Sequence, residues 1–231
     1  LMPIEIAHGS VIDSRTEIEL KNRTFQIMPI GVSLSSKTNG MNLEQRIEVA
    51  QKVLHDITQA ILEMKNQNML HNDIKPDNII FLNGRYVLTD FGLLSSSNAE
   101  LTRGWSEDFA SPEVVANDYP TLYSEFYSVA ATLLTVLDVA KFLKNAERIP
   151  GASQEEIYSQ IVVEQTISVS AEQKLRSLID FIKQGITQNP NKRKEKLLKG
   201  YLNQISVEST VLQNTEHKAQ EVLICPFLFA I

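Results

Sequence analysis

Between residues 71 and 92 the chain reads His71-Asn72-Asp73-Ile74-Lys75-Pro76-Asp77-Asn78, an apolar run at 79–82, Asn83-Gly84, a second run at 85–89, and Asp90-Phe91-Gly92. Asn-Gly between two short apolar segments is a strong hairpin signal. Both central turn positions need positive φ, which Asn tolerates and Gly adopts freely. If Leu82 pairs with Arg85, the register runs back through Ile79 opposite Leu88 to Asn78 opposite Thr89. Asn78 and Asp90 then meet at the open end of the hairpin, with Asp73 and Lys75 on the loop before it. Two hard oxygen ligands suit Mg²⁺, and a lysine beside them suits a phosphate.

Several elements must position these groups. Leu43, Ile47, Ala50, Leu54, Ile57, Ile61 and Met64 recur at spacings of four and three, which predicts one long helix with a single apolar stripe. Asn42 can cap it, with Gln45 where a capping box wants it, and His55 falls off the stripe as a solvated residue. Residues 124–137 are apolar nearly all round, the mark of a buried helix. Ser153-x-x-Glu156 and Ser170-x-x-Gln173 read as two further capping boxes, each opening an amphipathic helix. Strands are expected at 4–6, 10–12, 16–20 and 25–30, broken at His8-Gly9 and Lys21-Asn22.

The 231 residues are 43 % hydrophobic and 22 % charged, which is enough to bury a full core. A net charge of −6 and a pI near 5.3 argue against a general nucleic-acid or acidic-membrane binder. The single cysteine, Cys225, cannot form an internal disulfide, so a reducing, cytoplasmic setting is expected. No apolar stretch is long enough to span a bilayer. The apolar stretch 222–231, interrupted by Pro226, is expected to dock on the domain or on a partner, with Cys225 as a buried small hydrophobe. The first residue is Leu1 and not a methionine, so the chain is expected to begin inside a longer protein.

His71-x-Asp73-x-Lys75-x-x-Asn78 followed by Asp90-Phe91-Gly92 resembles the catalytic loop and metal-binding signature of eukaryotic-type Ser/Thr protein kinases. The resemblance runs over about residues 25–200 and extends to Ser111-Pro112-Glu113, similar to the family's A-P-E, and to Asn189-Pro190-Asn191-Lys192-Arg193. It implies an α+β, protein-kinase-like fold, with a mostly helical C-lobe at 35–205 and a remnant of the β-rich N-lobe and hinge at 1–34. Residues 206–231 form a C-terminal extension outside the pattern.

By the same resemblance Asp73 orients a substrate hydroxyl and accepts its proton, and Lys75 neutralises the γ-phosphate of ATP. Asn78 and Asp90 hold Mg²⁺, hinge backbone at Met28 and Ile30 meets the adenine edge, and Ile80 lies beneath the ring. The helix at 43–64 matches the one that supports the catalytic loop. Ser106 stands at the family's substrate-site threonine, Phe109 at the aromatic that follows, and Glu113 is expected to pair with a buried Arg193. Glu125 replaces the family's Asp, and its extra methylene is expected to shift the bond to the catalytic loop. Asn72 stands where switchable members carry the Arg that receives an activation-loop phosphate, so activity without that phosphate is expected. The segment after Gly92 is rich in Ser and Thr, so Ser95, Ser96, Ser97 and Thr102 read as residues of a polar loop.

Only about 25 residues precede the hinge, and none of them carries G-x-G-x-x-G or V-A-I-K, so those parts are expected upstream of Leu1. Two other readings stay open. A pseudokinase scaffold would share the fold without turnover. An aminoglycoside- or choline-type phosphotransferase would share H-x-D-x-x-x-x-N, but such enzymes usually lack the Lys75 and Glu113–Arg193 features. The Asn-, Lys- and Ile-rich style suggests a divergent member, a bacterial effector kinase acting on a protein substrate in a host cytosol.

Overall fold

The long helix α2 (Leu43–Asn66) is the frame on which the site is built. Asn42 Oδ1 accepts from Gln45 N at 3.0 Å, while Asn42 N donates to Gln45 Oε1 at 3.0 Å, the reciprocal cap that the sequence suggests. The stripe faces inward: Leu43, Ile47, Ala50, Leu54, Ile57 and Ile61 are all buried, and Met64 packs partly against the same core. Burial of each such Leu or Ile stabilises by about 1.5–3 kcal/mol, so the stripe holds the helix in place more firmly than its helix propensity does.

The structure, a computed structural model, describes residues 5–12, 19–27, 29–96, 104–116, 118–138 and 167–201. Within them α1 (Leu34–Lys37) and the short α3 (Pro112–Val115) flank the elements that carry the core. Buried α4 (Leu122–Val136) packs between α2 and α5 (Val169–Gly185), and α6 (Pro190–Lys199) closes the bundle. Thr121 caps α4 by accepting from Tyr123 N at 3.2 Å, and the helix opens at Leu122, two residues before the expected start. Close approach of α4 and α5 needs Gly185, where a Cβ would stand 2.8 Å from the Ala130 Cβ and 3.0 Å from the Phe126 carbonyl oxygen. Asn189 caps α6 through bonds from Asn191 N and Lys192 N, and Pro190 occupies the first turn, where its missing N–H costs nothing.

Strands β1 (Glu5–Ile12) and β2 (Glu19–Ile27) pair antiparallel as one two-stranded sheet. A three-stranded sheet has the order β3 (Val32–Ser33), β5 (Ile79–Leu82), β6 (Arg85–Leu88), and β4 (Met69–Leu70) pairs with β7 (Ser95–Ser96).

Three expectations are corrected. The N-terminal strands run through His8-Gly9 and Lys21-Asn22 without breaking, and an irregularity between Gly9 and Val11 absorbs the glycine instead. The strand expected at 25–30 ends at Ile27, ahead of Pro29. Helix α5 is capped by Ser168, whose Oγ accepts from Ala171 N at 3.3 Å, so Ser170 lies inside the first turn. The Ser153 box, Ser97, Thr102, Met28 and the 222–231 tail lie outside the described residues.

Candidate active site

The hairpin forms in the expected register: Leu82 opposite Arg85, Ile79 opposite Leu88. Asn83 and Gly84 have φ of 49° and 83°, the two left-handed positions that such a turn requires. Pairing continues one step further, where Thr89 N donates to Asn78 O at 2.9 Å. Asp90 then turns out of the strand at φ 59°, a region that Asp tolerates better than most residues. Helix α2 holds the hairpin through Asp56. Its buried carboxylate accepts from Tyr86 N at 2.9 Å, on the edge of the sheet, and Lys52 lies 3.3 Å away. The sequence reading missed Asp56. The signal was there, because Asp56 continues the row Val49, Val53 and Ala60, and a carboxylate in an apolar row needs a polar partner.

Three side chains converge on the Asp73 carboxylate. Its Oδ1 accepts from Ser106 Oγ at 2.6 Å, and its Oδ2 accepts from Lys75 Nζ and from Asn78 Nδ2, each at 2.7 Å. Lys75 Nζ also donates to Ser106 Oγ at 2.8 Å, which closes a triangle of Asp73, Lys75 and Ser106. Burial pushes the Asp73 carboxyl up, but the bonds from Lys75, Ser106 and Asn78 outweigh it and leave the group below its usual value. Asp73 is therefore ionised at neutral pH, with donors fixing both oxygens.

Asn78 Nδ2 also donates to Asp73 O at 2.9 Å, so both of its hydrogens are committed and Oδ1 is the atom left for a cation. Exposed Asp90 accepts from Gly92 N at 3.2 Å through Oδ1. An amide oxygen and a carboxylate fit Mg²⁺, which keeps several waters and completes its shell with phosphate oxygens.

The loop itself is pinned from below. Glu125 of α4 accepts from His71 N through Oε2 and from Asn72 N through Oε1, both at 2.9 Å. The longer side chain of Glu reaches the loop with each oxygen taking one of two adjacent amides. The neutral His71 ring packs 5.1 Å from Phe91, with Nε2 against Thr89 O and Nδ1 accepting from Asp73 N. Burial pulls the His71 pKa down, so the uncharged ring persists at neutral pH.

Burial pushes the Glu125 carboxyl up to about 7, against the lowering effect of the His71 and Asn72 amides. Its folded value lies above the unfolded one, so the native state binds more protons between the two and loses stability as pH rises through that window. From pH 5 to 8 the wild-type protein should lose roughly 3 kcal/mol relative to Glu125→Gln, at 1.36 kcal/mol per pKa unit. Parallel urea melts of the two proteins against pH measure this difference, and a flat difference would refute the assignment.

Of the residues expected on the nucleotide side, Ile30 and Ile80 are described. Ile80 is half-buried on β5, and a Cβ on Gly31 would stand 2.8 Å from its Cδ1, so the chain entering β3 lies directly on Ile80. The Ile30 side chain is 97 % exposed, which leaves only its backbone for an adenine edge. Concavities of about 490 Å³ between α2 and α5 and about 510 Å³ behind the hairpin share no lining residue with the Asp73 cluster.

Glu113 and Arg193 form the expected ion pair, with Arg193 fully buried. Ser124 Oγ donates to Glu113 Oε1 at 3.0 Å, tying the start of α4 to the same pair.

A helical lobe, a loop fixed by Glu125 and a hairpin ending in Asn78 and Asp90 define a protein-kinase-like catalytic core. The chain belongs to the protein kinase family, whose domain model matches residues 16–201. It is 32 % identical to protein kinase YpkA of Yersinia pseudotuberculosis over 120 residues, 51 % of this chain and 16 % of that protein. Over 196 residues it is 29 % identical to mouse sperm motility kinase 2A, covering 80 % of this chain and 36 % of the relative. Similarity to the serine/threonine-protein kinase PknG of Mycobacterium leprae is 23 % over 139 residues, 56 % of this chain and 18 % of that protein. The chain thus spans well under half of each of these relatives. No helix among the described residues is long and apolar enough to cross a membrane.

Proposed function

We propose that the chain carries the catalytic half of an ATP- and Mg²⁺-dependent protein kinase that phosphorylates Ser or Thr. One observation supports this above the others: an ionised Asp73 held by Lys75, Asn78 and the Ser106 hydroxyl. In this reading Asp73 orients a substrate hydroxyl and takes its proton as the oxygen bonds to the γ-phosphorus and ADP leaves. Lys75 stands close enough to Asp73 to meet the transferring phosphate. Asn78 Oδ1 and Asp90 hold Mg²⁺, which when bound offsets charge on the phosphate oxygens. Ser106 hydroxyl forms the floor on which a Ser or Thr side chain would rest. Met28, Ile30 and Ile80 belong to the adenine side. The division into 1–34, 35–205 and 206–231 stands as part of this proposal, as does activity without an activation-loop phosphate. So do a host-cytosol setting, in line with the likeness to a Yersinia kinase, and partner docking through 222–231.

The test uses the natural full-length protein, labelled ATP and a mixture of protein substrates. Label should appear on Ser and Thr, and Mg·ATP should raise Tm for wild type but not for Asp90→Asn. Label on an aminoglycoside alone, or wild-type turnover by Asp90→Asn, would overturn the reading. Thermal stabilisation without any transfer would favour the scaffold.

A further inference from the structure

The Asn72 side chain does more than replace a charge. Its Nδ2 donates to Leu93 O at 2.7 Å and to Ser95 Oγ at 2.8 Å, with a longer contact to Leu70 O at 3.3 Å. The first two bonds cross from the catalytic loop to the segment just after Asp90-Phe91-Gly92. They are backed by the β4–β7 pairing, in which Leu70 lies opposite Ser95. Asn72 reaches both partners because its backbone sits at φ 66°, where Asn and Asp are the best tolerated non-glycine residues. Its backbone N–H is at the same time held by Glu125. The start of the activation segment is therefore fastened to the catalytic loop by neutral groups, with no phosphate needed.

The fastening has one chemically modifiable member. Ser95 Oγ accepts from Asn72 and donates to Ser96 O at 3.3 Å, and the residue is only half-buried. The Asn72 Nδ2 that Ser95 accepts from is shared with the carbonyls of Leu93 and Leu70, and the Asn72 Oδ1 beside it is buried with no hydrogen-bond partner. A phosphate there would lose the hydroxyl proton now given to Ser96 O, place two negative charges beside that carbonyl, and add bulk where the Asn72 amide is packed at 2.8 Å. We propose that Asn72 and Ser95 form a latch for the activation segment, and that Ser95 is an inhibitory phosphorylation site, opposite in sign to the usual activating one. The donor is a nucleoside triphosphate. Its terminal P–O bond breaks, a bond from phosphorus to Ser95 Oγ forms, the hydroxyl proton is released and the nucleoside diphosphate leaves. Asn72 acts here as a positioning residue, and the regulatory claim rests on the kinase reading above.

Three full-length variants test it: phosphoserine installed at position 95, Asn72→Asp, and Ser96→Glu. Asn72→Asp keeps the backbone and the size but removes both donated hydrogens. Ser96→Glu adds charge one residue away, on an exposed side chain outside the latch. Phosphoserine and Asn72→Asp should each lower kcat by about tenfold or more. They should also speed amide exchange at 93–96 by about tenfold while exchange in α2 and α4 stays unchanged. Ser96→Glu should leave both within about twofold of wild type. Higher or equal kcat with phosphoserine, or unchanged exchange at 93–96 in Asn72→Asp, overturns the proposal. If the wild-type protein transfers no phosphate, the kinase reading fails, and the exchange result still decides the latch.

Discussion

Arg193→Leu should cost about 3–5 kcal/mol of stability, because it leaves the Glu113 carboxylate buried with no cation. The loss is wider than one pair. Arg193 Nε donates to Thr187 O at 2.8 Å, Nη1 to Tyr123 O and Nη2 to Gln188 O, each at 3.2 Å, besides the Nη2 bond to Glu113 Oε2 at 3.1 Å. Three carbonyls from two separate segments would lose their donor together with the carboxylate, and each unpaired buried group carries its own desolvation cost. For a chain of this length the loss is a fall in Tm of roughly 10 °C. Glu113 gives the prediction a second arm. Burial raises its carboxyl, the bonds and charge of the Arg193 guanidinium lower it by more, and the net value lies below the ordinary one. That stabilisation is present above the unfolded pKa and fades as pH falls through the folded one. The variant should lose this acid dependence. A double variant, Glu113→Gln with Arg193→Leu, should be less destabilised than the sum of its parts. Strict additivity would mean that the two side chains do not act as a pair.

This pair also shows why some of the architecture could be read from the chain and some could not. Local rules placed the Asn83-Gly84 turn, the 79–88 register and the Asn42–Gln45 cap, because each depends on residues a few positions apart. Partners far apart in sequence were reached only where a family likeness supplied them, as for Glu113 with Arg193, whereas the bond from Ser106 to Asp73 emerged only in the structure. Where no such guide existed, the reading failed. Asp56 holds Tyr86 N across 30 residues. Ser168 and Ser170 are both good caps by type. Which one caps α5 depends in part on the Ser168 backbone, whose N–H donates to Glu44 Oε1 of α2 at 2.6 Å, a contact invisible to local pattern. At the N-terminus, His8-Gly9 resembled a strand break because glycine is permissive, yet pairing continued past it into the irregularity at Val11.

On the kinase reading proposed above, Asp73→Asn carries the largest expected effect on activity: a fall in kcat of about 10²–10⁴, the usual range for loss of a positioned general base. Stability should move little. The substitution removes a carboxylate whose burial is unfavourable along with the charge-assisted bonds from Lys75 and Ser106 that offset that burial. The two changes oppose one another in the folded state, whereas in the reaction they act together. An amide cannot take the hydroxyl proton, although it can turn its oxygen to Lys75 Nζ and Asn78 Nδ2 and its nitrogen to the Ser106 hydroxyl, which can accept. Nucleotide binding should survive, since Asp90 and the Asn78 oxygen remain, so the loss should fall on kcat with KM for ATP nearly unchanged. Steady-state kinetics beside a thermal melt separate the cases. A kcat within tenfold of wild type would remove Asp73 from the chemistry. A large fall in Tm would instead show that the triangle of Asp73, Lys75 and Ser106 serves mainly to hold the fold.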